Sequence, residues 1–146
     1  MGTKSSVDEL NKLLRGELSA VETYQMAIDK LDRNGAARAE LEACMASHQS
    51  RVMMLRDQIV TLGGQPSGSS GPWGAFAKAV EGTAKVFGEQ AAISALEEGE
   101  DHGLADYKRE LDDEDLDVRA RSIVVSQLMP AQQQTHARLA ALKKRL

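Results

Sequence analysis

Residues 7–31 read VDELNKLLRGELSAVETYQMAIDKL, and this stretch decides the fold. Val7, Leu10, Leu14, Glu17, Val21, Tyr24, Ile28 and Leu31 follow one another at steps of 3, 4, 3, 4, 3, 4 and 3 residues. Alternating threes and fours mark the seam of an α-helix laid against other helices. Ser6 and Glu9 form a capping-box pattern at its start, and Asn34-Gly35 suits the left-handed turn that ends a helix. One seam member, Glu17, is a carboxylate, and a carboxylate at a core position wants a partner.

Three further segments repeat the pattern. A second helix over about 36–62 carries Leu41, Met45, His48, Val52, Leu55, Ile59 and Leu62, and the short turn before it makes it antiparallel to the first. Residues 63–72, GGQPSGSSGP, are a flexible linker, followed by a short amphipathic helix over 73–87 with Trp73, Phe76, Val80 and Phe87. A third long helix over 89–111 carries Ile93, Leu96, Glu100, Gly103, Tyr107 and Leu111. The acidic run 112–115 complements the start of a fourth, which carries Val118, Ile123, Val125, Met129, Gln132, His136, Leu139, Leu142 and Leu146. Pro130 predicts a kink one turn before His136. Short links within each pair and a long one between pairs predict an all-α chain. Its expected form is a single domain over 1–146, a four-helix bundle with a long crossover between helices two and three.

Composition agrees. The chain has 146 residues, 42% hydrophobic, 27% charged and only 3% aromatic, a balance that suits helices rather than a β-sandwich. A net charge of −4 argues against nucleic acid as a partner, which needs a basic face. No apolar run reaches the ~20 residues of a membrane span, so no membrane partner is expected. A single cysteine, Cys44, fits a reducing, cytoplasmic setting and reads as a small buried residue. The spare amphipathic helix points to a homo-oligomer, a dimer or larger.

Each long helix places one potential metal ligand on its seam: Glu17, His48, Glu100 and His136. Two carboxylates and two imidazoles converging in a bundle make an oxygen- and nitrogen-rich site suited to iron or zinc. Gly16-Glu17 is followed by Tyr24, and Gly99-Glu100 by Tyr107, at the same spacing of seven from each Glu. The two halves thus repeat Gly-Glu-x6-Tyr, with the tyrosines as donors that orient the carboxylates. Without a metal, Glu17 would need a cation such as Arg51, or the four residues would pair as Glu–His across the core. His102, two residues from Glu100, should point away from it.

Residues 11–27, NKLLRGELSAVETYQMA, resemble the first helix of bacterioferritins and rubrerythrins, in which a Glu at the position of Glu17 binds iron. Residues 96–111, LEEGEDHGLADYKREL, resemble the third helix of rubrerythrin, with Glu100 at its ligand position. With the LGGQP that ends helix two, the chain from Val7 onward is similar to an uncharacterised bacterial family of ferritin-like four-helix domains. The resemblance implies a ferritin-like antiparallel bundle. Its implied chemistry is Fe(II) oxidation by oxygen or peroxide, with a role in oxidative-stress protection.

The departures from that pattern are specific. A di-iron bundle needs Glu-x-x-His on helices two and four. In the seam register the two Glu positions are occupied by Met45 and Gln133. Two readings follow: a degenerate metal site built from Glu17, His48, Glu100 and His136, or a non-catalytic bundle that has lost the metal and works by association.

Overall fold

A computed structural model describes residues 3–30, 36–71 and 74–145, all helical apart from the connections. The elements are α1 (Thr3–Lys30), α2 (Ala36–Thr61), α3 (Gly74–Phe87), α4 (Glu89–Leu111), α5 (Val118–Ile123), a π-helical turn (Val124–Leu128) and α6 (Met129–Arg145). The expected turn at Asn34-Gly35, and Trp73, fall outside the described residues.

The α1 seam buries as its periodicity predicts: Leu10, Leu14, Tyr24 and Ile28 are each 3% exposed or less. Because α2 runs back along α1, Asn11 meets Gln65 and Ser67 at one end while Arg38 meets the Ile28 carbonyl at the other. α1 packs on α2, α2 on α6, α6 on α4 and α4 on α1, closing a ring around one interior. α3 lies across α1 and α4, outside that ring. Among the described residues no helix is long and apolar enough to cross a membrane.

Two expectations at helix ends change. α1 already runs through Ser6, so Ser6 is not its cap; its buried hydroxyl accepts the Asp117 amide at 2.8 Å. The start of α5 is capped by Asp117 itself, whose carboxylate accepts the Arg119 and Ala120 amides. That bond pair satisfies two donors that a helix start leaves open.

The fourth rod differs most. The disturbance expected at Pro130 appears just before it as a π-helical turn, in which the Met129 amide bonds the Val124 carbonyl five residues back. The wider turn accommodates one extra residue. Ala120, Val124, Leu128, Gln132, Thr135, Leu139 and Leu142 are buried, whereas Val118 and Val125 are exposed. The inward step from Gln132 therefore goes to Thr135, not to His136.

The buried apolar residues form two clusters. One gathers Leu10, Leu14, Leu55, Ile59, Val124 and Leu128; the other gathers Ile28, Leu41, Ile93, Leu96, Leu139 and Leu142. A polar layer lies between them.

Candidate functional site

Six side chains form that layer: Glu17 from α1, His48 and Arg51 from α2, Glu100 from α4, and Gln132 and Thr135 from α6. All six are at least 96% buried. Burial on this scale is stable only when every charge is matched and every donor placed.

His48 sits at the centre. Its Nδ1 bonds Glu17 Oε1 and its Nε2 lies 2.7 Å from Glu100 Oε2, so an imidazolium donates to both carboxylates. Arg51 lies one turn further along the same face of α2. Its Nη1 donates to Glu17 Oε2 at 3.3 Å and to Gln132 Oε1, while Nη2 donates to Thr135 Oγ1 at 3.0 Å. Gln132 Nε2 and Thr135 Oγ1 then donate to Glu100 Oε1 at 2.9 and 2.8 Å.

The repeated Gly-Glu-x6-Tyr pattern acquires its meaning here. Tyr24 of α1 donates its hydroxyl to Glu100 of α4 at 2.5 Å, and Tyr107 of α4 donates to Glu17 of α1 at 2.5 Å. Seven residues are close to two helical turns, so each tyrosine rises level with the other helix's glutamate. The two halves exchange their donors, and every carboxylate oxygen in the layer is bonded.

The electrostatics follow from these contacts. Burial pushes the Glu17 carboxyl up, but His48 and Arg51 pull harder, and with the Tyr107 hydroxyl they hold it at about 2. Burial likewise opposes ionisation of Glu100, and bonds from His48, Tyr24 and Thr135 bring it below the usual carboxylate range. His48 is lowered by burial and raised more by Glu17 and Glu100, so its net shift is upward. Both tyrosines are pushed well above their ordinary value by burial and by the carboxylates they face. Two carboxylates, one imidazolium and one guanidinium sum to zero charge.

Of the residues expected to hold a metal, Glu17, His48 and Glu100 come together and His136 does not. His136 lies on the outer side of α6, its side chain 30% exposed, with Nε2 2.5 Å from Asp101 Oδ1. Gln133 is exposed as well, so it does not mark an inward carboxylate position. Tyr24 and Tyr107 do bond the carboxylates, each to the glutamate of the opposite helix. The pairing foreseen between Glu17 and Arg51 is present. His102 is exposed and Cys44 is buried, burial raising its thiol to about 11.

The layer does not fit a metal ion. The donor atoms of Glu17, His48 and Glu100 point at one another rather than at a common centre, and Arg51 holds a fixed positive charge against Glu17. Among the described residues no group of three His, Cys, Asp or Glu side chains is arranged to hold one.

A cavity of about 70 Å³ reaches this layer from the side, between α1 and α4. Gly16, Ala20, Leu96, Gly99 and Phe76 wall it, and Glu17, His48 and Glu100 lie at its inner end. Two glycines nearby are explained by packing. A Cβ at Gly99 would meet Phe76 at 3.0 Å, and one at Gly103 would meet Gln132 Nε2 at 2.6 Å. A Cβ at Gly16 would meet nothing within 4 Å.

A second acidic pair joins the same two helices near one end. Glu110 of α4 is 4% exposed, and its Oε2 has no hydrogen-bond partner among the described residues. The Glu9 carboxyl on α1 acts on it: burial and Glu9 raise Glu110 to about 8, while Glu9, bonded to Lys12 at 3.0 Å, is lowered.

A family model described as "Domain of unknown function (DUF2383)" matches residues 5–113. The match spans α1 to α4 and so includes Glu17, His48, Arg51 and Glu100 but not the α6 residues. No curated protein and no solved structure matches the chain.

Proposed function

The chain belongs to the DUF2383 family, and we propose that it is a metal-independent helical domain of ferritin-like arrangement, acting by non-covalent binding rather than by redox catalysis. The observation that carries this reading is Arg51, fully buried at the centre of the bundle and bonded to Glu17, Gln132 and Thr135. In carboxylate-bridged di-metal bundles, two helices each supply a Glu and two supply Glu-x-x-His, all pointing inward. Glu17 and Glu100 stand at the two single-Glu positions. On α2 the fully buried pair at this spacing of three is His48-x-x-Arg51 rather than Met45-x-x-His48, Met45 being only partly buried against the second cluster, and on α6 it is Gln132-x-x-Thr135; these two pairs take the place of Glu-x-x-His.

In this register one bridging carboxylate is replaced by an imidazolium and one ligand imidazole by a guanidinium. The two cationic side chains supply the positive charge that two metal ions supply in such bundles. Iron or zinc entering this layer would meet Arg51 and a protonated His48, both repelling it at short range. The lone, buried thiol of Cys44 is consistent with the cytoplasmic setting expected from the sequence.

The test is metal uptake. Purified protein loaded with Fe(II) or Zn(II) and desalted should keep far less than one metal per chain by elemental analysis. The fourfold variant His48→Glu, Arg51→His, Gln132→Glu, Thr135→His rebuilds the complete ligand set and should gain metal. Stoichiometric metal in the natural chain, lost on Glu17→Ala, would overturn the reading.

A further inference from the structure

The cavity between α1 and α4 opens to the side of the bundle, and Gly16 is among the residues that line it. Gly99 and Gly103 are small because Phe76 and Gln132 occupy the space beside them. Gly16 has no such neighbour: its missing side chain would project into open space. A mid-helix glycine weakens its helix. No close approach of a neighbour accounts for Gly16 or for Gly82 of α3, and of these two only Gly16 lines the cavity.

We propose that this cavity is a binding site for a small, uncharged and largely apolar molecule of about three or four non-hydrogen atoms. The size follows from the volume: about 70 Å³ is near half of the ~150 Å³ apolar cavity that takes up benzene. The charge class follows from the inner end. The Glu17 and Glu100 oxygens are bonded by His48, Arg51, Gln132, Thr135 and the two tyrosines, and the layer sums to zero. Of the carboxylates lining it, Asp106 is paired with Arg109 at 2.9 Å and Glu17 and Glu100 are bonded within the layer, so a charged guest would lose its water and meet no unpaired carboxylate, whereas an apolar guest gains contact with Leu96, Ala20 and Phe76. Phe76 belongs to α3, so the crossover helix forms the outer wall.

The experiment is an amide NMR titration of the full chain in the presence of EDTA, so that its outcome is independent of the metal reading. The probes are xenon and 1-propanol, with ethylammonium and acetate as charged molecules of similar size. Saturable shifts at Gly16, Gly99 and Gly103 are expected with xenon and 1-propanol. Affinity should be at least tenfold weaker for both ions and at least tenfold weaker in Gly16→Leu, whose side chain fills the space. Gly16→Ala, which adds one methyl and restores helix propensity, should give an intermediate loss with an undiminished melting temperature. No saturable response to either neutral probe, a response that survives in Gly16→Leu, or equal binding of acetate or ethylammonium would each overturn the proposal.

Discussion

α1 and α4 bring carboxylates together twice, and the two meetings have opposite chemistry. At the centre, Glu17 and Glu100 are separated by His48 and flanked by Arg51, and both are held below the ordinary carboxylate range. Near one end, Glu9 and Glu110 interact, the Lys12 charge does not outweigh burial at Glu110, and Glu110 rises to about 8. Burial alone does not decide the outcome, since it opposes ionisation at both places. What differs is whether a neighbouring helix inserts a positive charge. α2 does so at the centre through His48 and Arg51; at the end, Lys12 of α1 hydrogen-bonds Glu9, and its charge lowers Glu110 by less than burial and Glu9 raise it. The centre is therefore an ion network, and the end is a pair sharing one proton.

The strongest way to break this contrast is to remove the inserted cation. Arg51→Leu leaves Glu17 buried with one charge partner fewer and strips donors from Gln132 and Thr135. Breaking a buried pair in this way costs about 3–5 kcal/mol, a large part of the stability of a domain of this size. Urea unfolding should show that loss. The double variant Arg51→Leu, Glu17→Gln removes both charges and should recover much of it, whereas a double variant as unstable as the sum of the singles would refute mutual compensation.

The second prediction compares the two sites through pH. Glu17 and Glu100, lowered in the fold, contribute stability that is present above about 4.5 and lost as pH falls toward 2. Glu110 is raised, so its contribution is complete below 4.5 and is lost as pH rises to about 8. His48, also raised, adds to that loss only above 6.5, as pH climbs through its folded value. The melting temperature should peak near pH 4.5 and decline on both sides, more steeply above 6.5 where His48 joins Glu110. Glu110→Gln keeps a neutral donor beside Glu9 and should flatten the decline up to pH 8, leaving the acid side unchanged. Parallel curves for the two proteins would sink the shared-proton assignment.

How much of this was legible depended on the residue type at each inward position. Wherever the seam is apolar, as on α1 and along α2 from Leu41 to Ile59, periodicity alone located the core. The centre was half legible. Glu17, His48 and Glu100 stood out as polar residues interrupting apolar seams, and the repeat flagged Tyr24 and Tyr107. Arg51 was foreseen only as a partner for Glu17, because an Arg in a helix usually keeps its charged end in water. Its place three residues after His48, on the same face, was the available signal. On α6 the register slipped, since His136 is a more conspicuous ligand type than Thr135 and no rule of spacing locates a π-helical turn in advance. Glu110 was missed altogether, because a glutamate near a helix end reads as solvated until the neighbouring helix is seen to cover it.

The smallest effect tests that slipped register directly. His136 and Thr135 are adjacent, yet they face different surroundings. His136 meets Asp101 in water, with side chains 30% and 64% exposed, and exposed pairs of this kind contribute about 0–1 kcal/mol. Thr135 is 1% exposed, takes a hydrogen bond from Arg51 and gives one to Glu100. His136→Ala should therefore shift stability by no more than about 0.5 kcal/mol. Thr135→Val keeps the shape of the side chain but leaves Arg51 and Glu100 each short of a partner, and should cost about 1–3 kcal/mol. If the two effects were reversed in urea unfolding, His136 would be the inward residue, and the ring of helices would have to be turned by one position along α6.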